Sequence, residues 1–463
     1  MKIFFSGIGG SGVSAIAGFM AEKGHAVFGS DRLFDSRPAH PVRLRLQMNG
    51  VTILPQDGKG IDRSFDLAVF STAVEGSNPD AVSAGAAGVP VKTRPEYLAE
   101  IVSAFKTTAI AGTSGKSTTS GMLAFLLQRL GMSPNFIGGG KVKQFKTEKN
   151  PGNYLTGSSD YLVIEACESD GTIVDYEPQH TMILNLDLDH HSIEETARMF
   201  EVLSARTRGT VHLNADDRNL DACKIRNAVR FSIDKVSDYQ AVDVRYHPLK
   251  TSFSVGGQEF LLSLPGRHNL YNATACVAFL SEEGVPLQRI ADALPEFSGI
   301  ERRFDVYLND DKHLVIDDYA HNPHKIRSLM ETMQGISRRI CYIFQPHGFG
   351  PTRLMKDEYV AAFTEGLREG DLLVLLPIYY AGGTAAKDIS SEDIAVPVQA
   401  SGLKAVCVHD RKDVFGHLEE YDACVVLGAR DDTLADVAEE IAERMRRSSN
   451  ASSVRQGPAW RRS

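Results

Sequence analysis

Short apolar runs, each followed by a longer amphipathic stretch, alternate along most of the chain. That rhythm predicts an α/β protein, with parallel sheets wound by helices, rather than an all-β or all-α fold. Three blocks emerge. Residues 1–105 open on a strand at Lys2–Ser6, pass through a helix to a second strand at His25–Phe28, and end in a helical stretch at Pro95–Ser103. Residues 106–303 begin with a strand at Thr107–Ala111 that feeds a helix near Ser117, and add apolar strands at Tyr161–Ile164 and Met182–Leu186. Within this block a more polar patch, Val229–Leu264, reads as a β-rich insert. Residues 304–445 repeat the alternation, with strands expected at Leu314–Ile316, Arg339–Phe344, Leu372–Leu376, Val406–Val408 and Cys424–Leu427. Residues 446–463 are Arg/Ser-rich and aperiodic, so a disordered tail with solvated arginines is expected there; it holds the sole tryptophan, Trp460.

Composition narrows the picture modestly. A chain of 463 residues is long enough for about three domains, each burying its own core. The net charge of −9, from 50 basic and 59 acidic residues, speaks against a nucleic-acid-binding surface. Cys167, Cys223, Cys276, Cys341, Cys407 and Cys424 are scattered without a C-x-x-C pair, which fits reduced thiols in a cytoplasmic protein better than disulfides or a zinc site. The chain opens directly on a strand and has no apolar run long enough to span a bilayer, so neither a signal peptide nor a membrane partner is expected.

Candidate chemistry concentrates at strand ends. Ala111-Gly112-Thr113-Ser114-Gly115-Lys116-Ser117-Thr118-Thr119 is a strand-to-helix turn suited to a nucleoside triphosphate. Its glycines let backbone N–H groups curl around phosphate oxygens, Lys116 supplies a mobile cation, the Ser117 hydroxyl can ligate Mg²⁺, and the following helix points its positive end inward. The loop is shorter than the full Walker pattern, with Ile110 six positions before Lys116 where a glycine is expected. A turn that merely caps a helix is the bland alternative.

The first block carries Gly7-Ile8-Gly9-Gly10-Ser11-Gly12 straight after its opening strand, and Asp31 after the second. This is a dinucleotide fingerprint, which by its physics specifies only a diphosphate-bearing nucleotide. A nicotinamide enzyme or a dinucleotide-binding regulatory protein is therefore a rival reading, and glycines serving only tight packing are a third. Downstream, Glu165-Ala166-Cys167-Glu168-Ser169-Asp170 and Asp187-Leu188-Asp189-His190-His191 end two apolar strands, where α/β proteins place ligands. Glu165 and His190 fit a magnesium shell, although Mg²⁺ ordinarily prefers oxygen. A capping or hydrogen-bonded role is the alternative for His190, as it is for Glu168 and Asp170.

At this point the chain resembles the Mur ligases, ATP-dependent amino-acid ligases of peptidoglycan precursor assembly, and within them the alanine-adding members. The motifs are G-I-G-G-S-G-V-S and G-S-D, S-T-A-V with Asn78-Pro79, E-A-C-E-S-D, P-G-R-H-N-L-Y-N, E-R-R-F-D, D-D-Y-A-H-N-P, and F-Q-P-H followed by T-R, covering nearly all of the chain but its tail. The resemblance implies a Rossmann-like N-terminal domain for a UDP-sugar, a central P-loop ATPase domain, and a Rossmann-like C-terminal domain that closes over ATP. It implies UDP-N-acetylmuramate, an amino acid and ATP with Mg²⁺ as reactants, joined through an acyl phosphate. Gly9, Gly10, Ser11 and Gly12 would face the diphosphate, with Asp31, Ser71 and Thr72 nearby. ATP would meet Gly112, Thr113, Ser114, Gly115, Lys116, Ser117 and Thr118, with Ser117, Glu165 and His190 around magnesium and His268, Asn269 and Asn272 near adenine. Arg303 would reach the γ-phosphate, and Asp318 and His321 the ribose and phosphates. His347 and Arg353 would hold the amino acid.

The chain also departs from that pattern. After F-Q-P-H the alanine-adding members usually show R-Y-x-R-T-R, whereas Gly348-Phe349-Gly350-Pro351-Thr352-Arg353 lacks two of the arginines. Gly152-Asn153-Tyr154-Leu155-Thr156-Gly157 stands for N-A-R-L-G, Ser114 for a histidine, Gly383 for an acid and Cys167 for an aspartate. These changes fall mostly around substrate contacts, so a paralogue attaching another amino acid or a peptide, as murein tripeptide ligase does, is the alternative within the same reaction class.

Overall fold

The computed structural model describes residues 1–189, 191–380, 382, 386–418 and 420–455. The chain divides into two compact units, one of residues 1–246 and 250–300, the other of residues 247–249 and 301 onward.

The first unit holds three sheets. Strands Thr52–Ile53, Ala26–Ser30, Lys2–Ser6, Leu67–Phe70 and Val91–Thr93 lie side by side in that order, all parallel, with Lys2 opposite Ala26 and Ile3 opposite Leu67. The two neighbours of Lys2–Ser6 are reached by chain running in opposite directions, so a crevice opens at its C-terminal end, where Gly7–Gly12 lies. Both faces of this strand are buried: Ile3 and Phe5 enter one cluster and Phe4 the other, hence the unbroken apolar run.

The second sheet has eight strands in the order Tyr239–Gln240, Val229–Ser232, Val211–Asn214, His180–Ile183, Lys106–Ala111, Tyr161–Glu165, Asn135–Ile137 and Tyr154–Leu155. Only the last pair is antiparallel. The strand feeding the phosphate loop thus sits between the two strands that end in Glu165 and lead to Asn185. Helix Lys116–Arg129 packs on this sheet through Met122, Leu123, Leu126 and Leu127. The expected β-rich insert is divided: its first two strands extend the parallel sheet, and Val242–His247, Lys250–Val255 and Gln258–Leu262 form a separate three-stranded sheet.

Within this unit, Tyr154 explains one departure from the family pattern. Its ring is buried against helix Ser11–Glu22, and its hydroxyl accepts from Asn49 Nδ2 at 2.9 Å. A Cβ on Gly18 would stand 2.7 Å from Tyr154 Cε1, so the tyrosine is accommodated by a helical glycine. Gly18→Ala is expected to destabilise the protein by about 1–3 kcal/mol through overpacking, outweighing the helix-propensity gain of about 1 kcal/mol. A thermal melt showing an unchanged or raised Tm would refute this fit.

The second unit contains one six-stranded sheet in the order Asp305–Asn309, Leu314–Asp318, Ala423–Leu427, Ile340–Phe344, Leu372–Leu375, Ala405–Cys407. All neighbours are parallel except the edge pair of Asp305–Asn309 with Leu314–Asp318. That edge strand carries a bulge between Val306 and Leu308 and alternates buried with exposed positions, which hides it from a search for apolar runs. The last helix, Leu434–Arg455, corrects the expected tail: residues 446–455 are helical. Leu434, Val437, Ala438, Ile441, Ala442 and Met445 bury one stripe, Arg444–Glu440 and Arg447–Glu443 pair on the other face, and no helix breaker occurs before Gly457-Pro458. Trp460 lies outside the described residues. No helix among the described residues is long and apolar enough to cross a membrane.

Candidate active site

The phosphate loop is built by conformations its sequence permits. Gly112 and Gly115 have φ of +139° and +84°, and a Cβ on Gly115 would meet Asn272 Oδ1 at 2.6 Å, so only glycine fits there. Asn272 therefore packs against the loop itself, and its Nδ2 donates to Asn269 Oδ1 at 3.3 Å, while Asn269 donates to the Pro265 carbonyl at 2.8 Å. Both asparagines are buried on helix Arg267–Glu282, and His268 is exposed in its first turn.

Around the loop the strand ends supply oxygen and charge. Lys116 Nζ donates to Glu168 Oε2 at 2.8 Å and to the Gly112 carbonyl at 2.5 Å; its side chain is 13% exposed and that of Glu168 1%. Ser117 Oγ donates to Glu165 Oε2 at 3.0 Å, and Glu165 Oε1 accepts from the Gly139 and Gly140 N–H groups at 2.7 and 3.2 Å. Ser117 and Glu165, expected to share a magnesium ion, are thus brought together as hard oxygen donors, the set that Mg²⁺ requires. His190, the third expected ligand, lies outside the described residues.

Sequence reasoning missed Asn185. Its Oδ1 accepts from Thr113 Oγ1 at 2.9 Å and from the Ser114 N–H at 2.8 Å, and its Nδ2 donates to the Ser114 carbonyl at 3.0 Å. One carboxamide therefore fixes the loop's outer half. The signal was an asparagine inside the otherwise apolar run Met182–Leu186, just past the C-terminal end of strand His180–Ile183. Thr118 follows in the first turn of the helix.

At the first glycine turn, Gly10 begins helix Ser11–Glu22 with no side-chain cap. Asp31 is engaged: Oδ2 accepts from the Gly9 N–H and Oδ1 from the Leu33 N–H, both at 2.9 Å, so it caps helix Arg32–Ser36. Ser71 is half-buried, with its N–H on the Ser6 carbonyl, and Thr72 is exposed. Asp80, buried after Asn78-Pro79 and unmarked by any motif, accepts from the Ser6 and Ser30 hydroxyls and the Gly58 N–H and locks the strand ends together.

In the second unit the two arginines of E-R-R-F-D diverge. Arg302 is buried, with Nε on Asp317 Oδ2 at 2.9 Å and its terminal nitrogens on the Asp431 and Gly428 carbonyls at 3.0 and 2.8 Å. Both guanidinium groups lie over the Tyr319 ring, Arg302 at 5.3 Å and Arg303 at 4.8 Å from its centroid, and Arg303 is half-buried. Asp318 accepts from the Phe304 and Ala320 N–H groups, each at 2.7 Å. His321 stacks edge-on against Tyr319 and against His347, with centroids 5.5 and 5.3 Å away. Burial, reinforced by Lys325, pulls the His321 imidazole down to about 3; burial and then Arg430 lower His347. Both rings are neutral at physiological pH.

His347 and Arg353, expected to hold one amino acid, share no hydrogen bond. Arg353 is exposed and paired with Asp388 and the Ala386 carbonyl. Gly348 and Pro351 stand at the positions of the two absent arginines, and between them Phe349, at the pattern's tyrosine, meets Tyr380 edge-on at 5.4 Å. Gly383 lies outside the described residues.

A buried histidine away from these groups sets an acid limit. His212, fully buried in strand Val211–Asn214 and edge-on to Phe279, is pulled down to about 4 by burial and then by His180. Its folded value lies below the unfolded 6.5, so the unfolded chain binds the extra proton between those values. Stability is complete above about pH 6.5 and falls as pH drops toward 4, by about 3 kcal/mol for this group. Denaturant melts of His212→Leu should show a shallower loss over that window; an equally steep loss would refute the assignment.

A strand-fed phosphate loop with a part-buried lysine, a serine–glutamate pair beside it, and a second nucleotide-type glycine turn in the same unit define an α/β protein of the nucleotide-binding class. Family models match along the chain: Mur ligase family, catalytic domain, at residues 2–106; Mur ligase middle domain at 110–280; and Mur ligase, glutamate ligase domain, at 302–430. The chain is 33% identical to UDP-N-acetylmuramate–L-alanine ligase of Persephonella marina and 31% identical to that of Sulfurihydrogenibium sp., each over 92% of this chain and 94% of the relative. The solved UDP-N-acetylmuramate–alanine ligase of Thermotoga maritima superposes with a TM-score of 0.77 at 26% identity, covering 97% of this chain and 100% of the other. A murein peptide ligase from Psychrobacter arcticus shares the fold, with a TM-score of 0.65 at 23% identity over 97% and 98% of the two chains. The chain belongs to the Mur ligase family.

Proposed function

We propose that the protein joins L-alanine to the carboxylate of UDP-N-acetylmuramate at the expense of ATP, releasing ADP and phosphate, in peptidoglycan precursor synthesis. The observation that carries this reading is the Lys116 phosphate loop with Ser117 beside Glu165, in a chain whose full-length relatives bear that activity in their names. A free carboxylate does not accept an amine in water because oxide is a hopeless leaving group. Transfer of the γ-phosphoryl of ATP to the carboxylate oxygen gives an acyl phosphate and ADP. The deprotonated amine then attacks the acyl carbon, and the tetrahedral species expels phosphate as the amide forms.

Phosphoryl transfer asks the protein chiefly for position and charge neutralisation. Lys116 supplies a cation at the β- and γ-phosphates, the loop N–H groups hold their oxygens, and Asn185 keeps the loop in shape. Magnesium, held by Ser117, Glu165 and His190, would neutralise phosphate charge. Arg303 would add a cation at the γ-phosphate, and Asp318 and His321 would meet the ribose and phosphates. The glycine turn Gly9–Gly12 takes the UDP diphosphate, with Ser71 and Thr72 at its rim, and the adenine lies toward His268, Asn269 and Asn272. The dinucleotide reading loses support because Mur ligase models match along the chain, at residues 2–106, 110–280 and 302–430. A cytoplasmic location accords with six free cysteines.

One observation favours a second reading of the amine donor alone. Arg353 is paired with Asp388, and the two other arginines of the pattern are missing, so the usual bidentate grip on an amino-acid carboxylate is absent. In that reading another amino acid or a peptide takes the place of L-alanine. The test is a co-substrate screen with ATP, Mg²⁺, UDP-N-acetylmuramate and a panel of amino acids and peptides, with mass detection of products. ADP release coupled to a new alanyl amide supports the first reading, and a different adduct the second. ATP hydrolysis independent of both co-substrates overturns both.

A further inference from the structure

A glycine turn at a helix N-terminus offers a diphosphate only partial charges, and a dianion held near an acidic protein surface also calls for a full cation. The structure places one against this turn. A Cβ on Gly12 would lie 3.4 Å from Arg94 Cδ and 4.0 Å from Arg94 Nε, so the arginine runs directly over the backbone of Gly12, within the same compact unit.

Arg94 is anchored at both ends. Its backbone opens helix Arg94–Ala104, which Thr93 and Glu96 close in a reciprocal cap. One terminal guanidinium nitrogen donates to Asp170 Oδ2 at 2.6 Å, while Asp170 Oδ1 is itself held by the Thr172 N–H and hydroxyl at 3.2 and 2.6 Å. A guanidinium has five donors in a rigid fork, and this ion pair engages one edge of it, leaving the rest of the fork for a phosphate. The pair is only about a quarter to a third exposed, so the charge is less screened than on an open surface.

We propose that Arg94 is the side-chain cation of the first glycine turn and grips the diphosphate of a uridine nucleotide, with Asp170 as the positioning residue that aims it. This rests on the UDP reading of that turn. Asp170 belongs to the same three-residue turn as Glu168, the partner of Lys116, so the cations of both phosphate-binding turns are oriented from one segment, Glu168–Asp170.

The test is calorimetric titration of the whole protein with UDP and with uridine, which lacks the diphosphate. Arg94→Ala should weaken UDP by about tenfold or more and leave uridine within twofold, and Arg94→Lys should recover part of the loss. Asp170→Asn should weaken UDP less than Arg94→Ala does, and add nothing in the Arg94→Ala background. Thermal melts establish that each variant is folded. Unchanged UDP affinity in folded Arg94→Ala, or an equal loss for UDP and uridine, overturns the proposal. A wild-type protein that binds neither ligand overturns the UDP reading on which it stands.

Discussion

Lys116→Ala should reduce ATP turnover by about 10³-fold or more while the first glycine turn still binds UDP. Removing one preorganised charge from a phosphoryl-transfer site costs about 10²–10³-fold, and in the proposed reaction Lys116 is the cation at the oxygens where negative charge accumulates. The substitution also leaves the Glu168 carboxylate buried without its cation, at 1% exposure, so part of the change will appear as lost stability, on the order of 3 kcal/mol. The two effects separate in Lys116→Ala combined with Glu168→Gln. Replacing the stranded carboxylate with an uncharged amide should restore most of the lost Tm and none of the turnover. ADP release measured beside thermal melts reads both quantities, and a single variant that kept activity within tenfold of the parent would end the assignment of Lys116.

The sequence shows both glycine turns, the phosphate loop among them, and every parallel strand of the second unit for one physical reason: a strand buried on both faces leaves an unbroken apolar run, and a turn at its C-terminal end leaves glycines. In the first unit it shows Lys2–Ser6, Ala26–Ser30, Lys106–Ala111, Tyr161–Glu165 and His180–Ile183, while the short strands Thr52–Ile53, Leu67–Phe70, Val91–Thr93, Asn135–Ile137 and Val211–Asn214 are not among those expected. What it hides is pairing between distant positions. Nothing local distinguishes Arg302 from Arg303, and both lie over the Tyr319 ring, yet Arg302 is buried against a carboxylate and two carbonyls while Arg303 is half-buried. Asp31 reads as a ribose ligand by its place after the second strand, and the hydrogen bonds it accepts from the Gly9 and Leu33 N–H groups become visible only in the fold. Asn185 and Arg94 act on loops far away in sequence. The Asp305–Asn309 edge strand escapes because only one of its faces is covered, and residues 446–455 because an Arg/Ser-rich composition obscures a helix that nothing interrupts.

The contrast between the neighbouring arginines yields the second large effect. Arg303→Ala should lower turnover by about 10²-fold or more with little change in Tm, because a half-buried guanidinium over Tyr319 contributes only about 1 kcal/mol to stability. Arg302→Ala should do the opposite in kind, destabilising the second unit by about 3 kcal/mol or more, since it empties a buried site and unpairs Asp317 and two carbonyls. Asp317 gives this prediction a pH signature. Burial already pushes its carboxyl up to about 6 despite the opposing Arg302, and its Oδ1 has no hydrogen-bond partner. An acid whose folded value is raised loses stability as pH rises from its unfolded value through its folded one, here from about 4 to about 6. Without Arg302 the folded value climbs further and that losing window extends toward neutrality. Denaturant melts from pH 5 to 8 should therefore show the gap between parent and Arg302→Ala widening with pH. A constant gap would mean that Arg302 stabilises by packing alone, and loss of turnover in Arg302→Ala without loss of stability would reverse the roles of the pair.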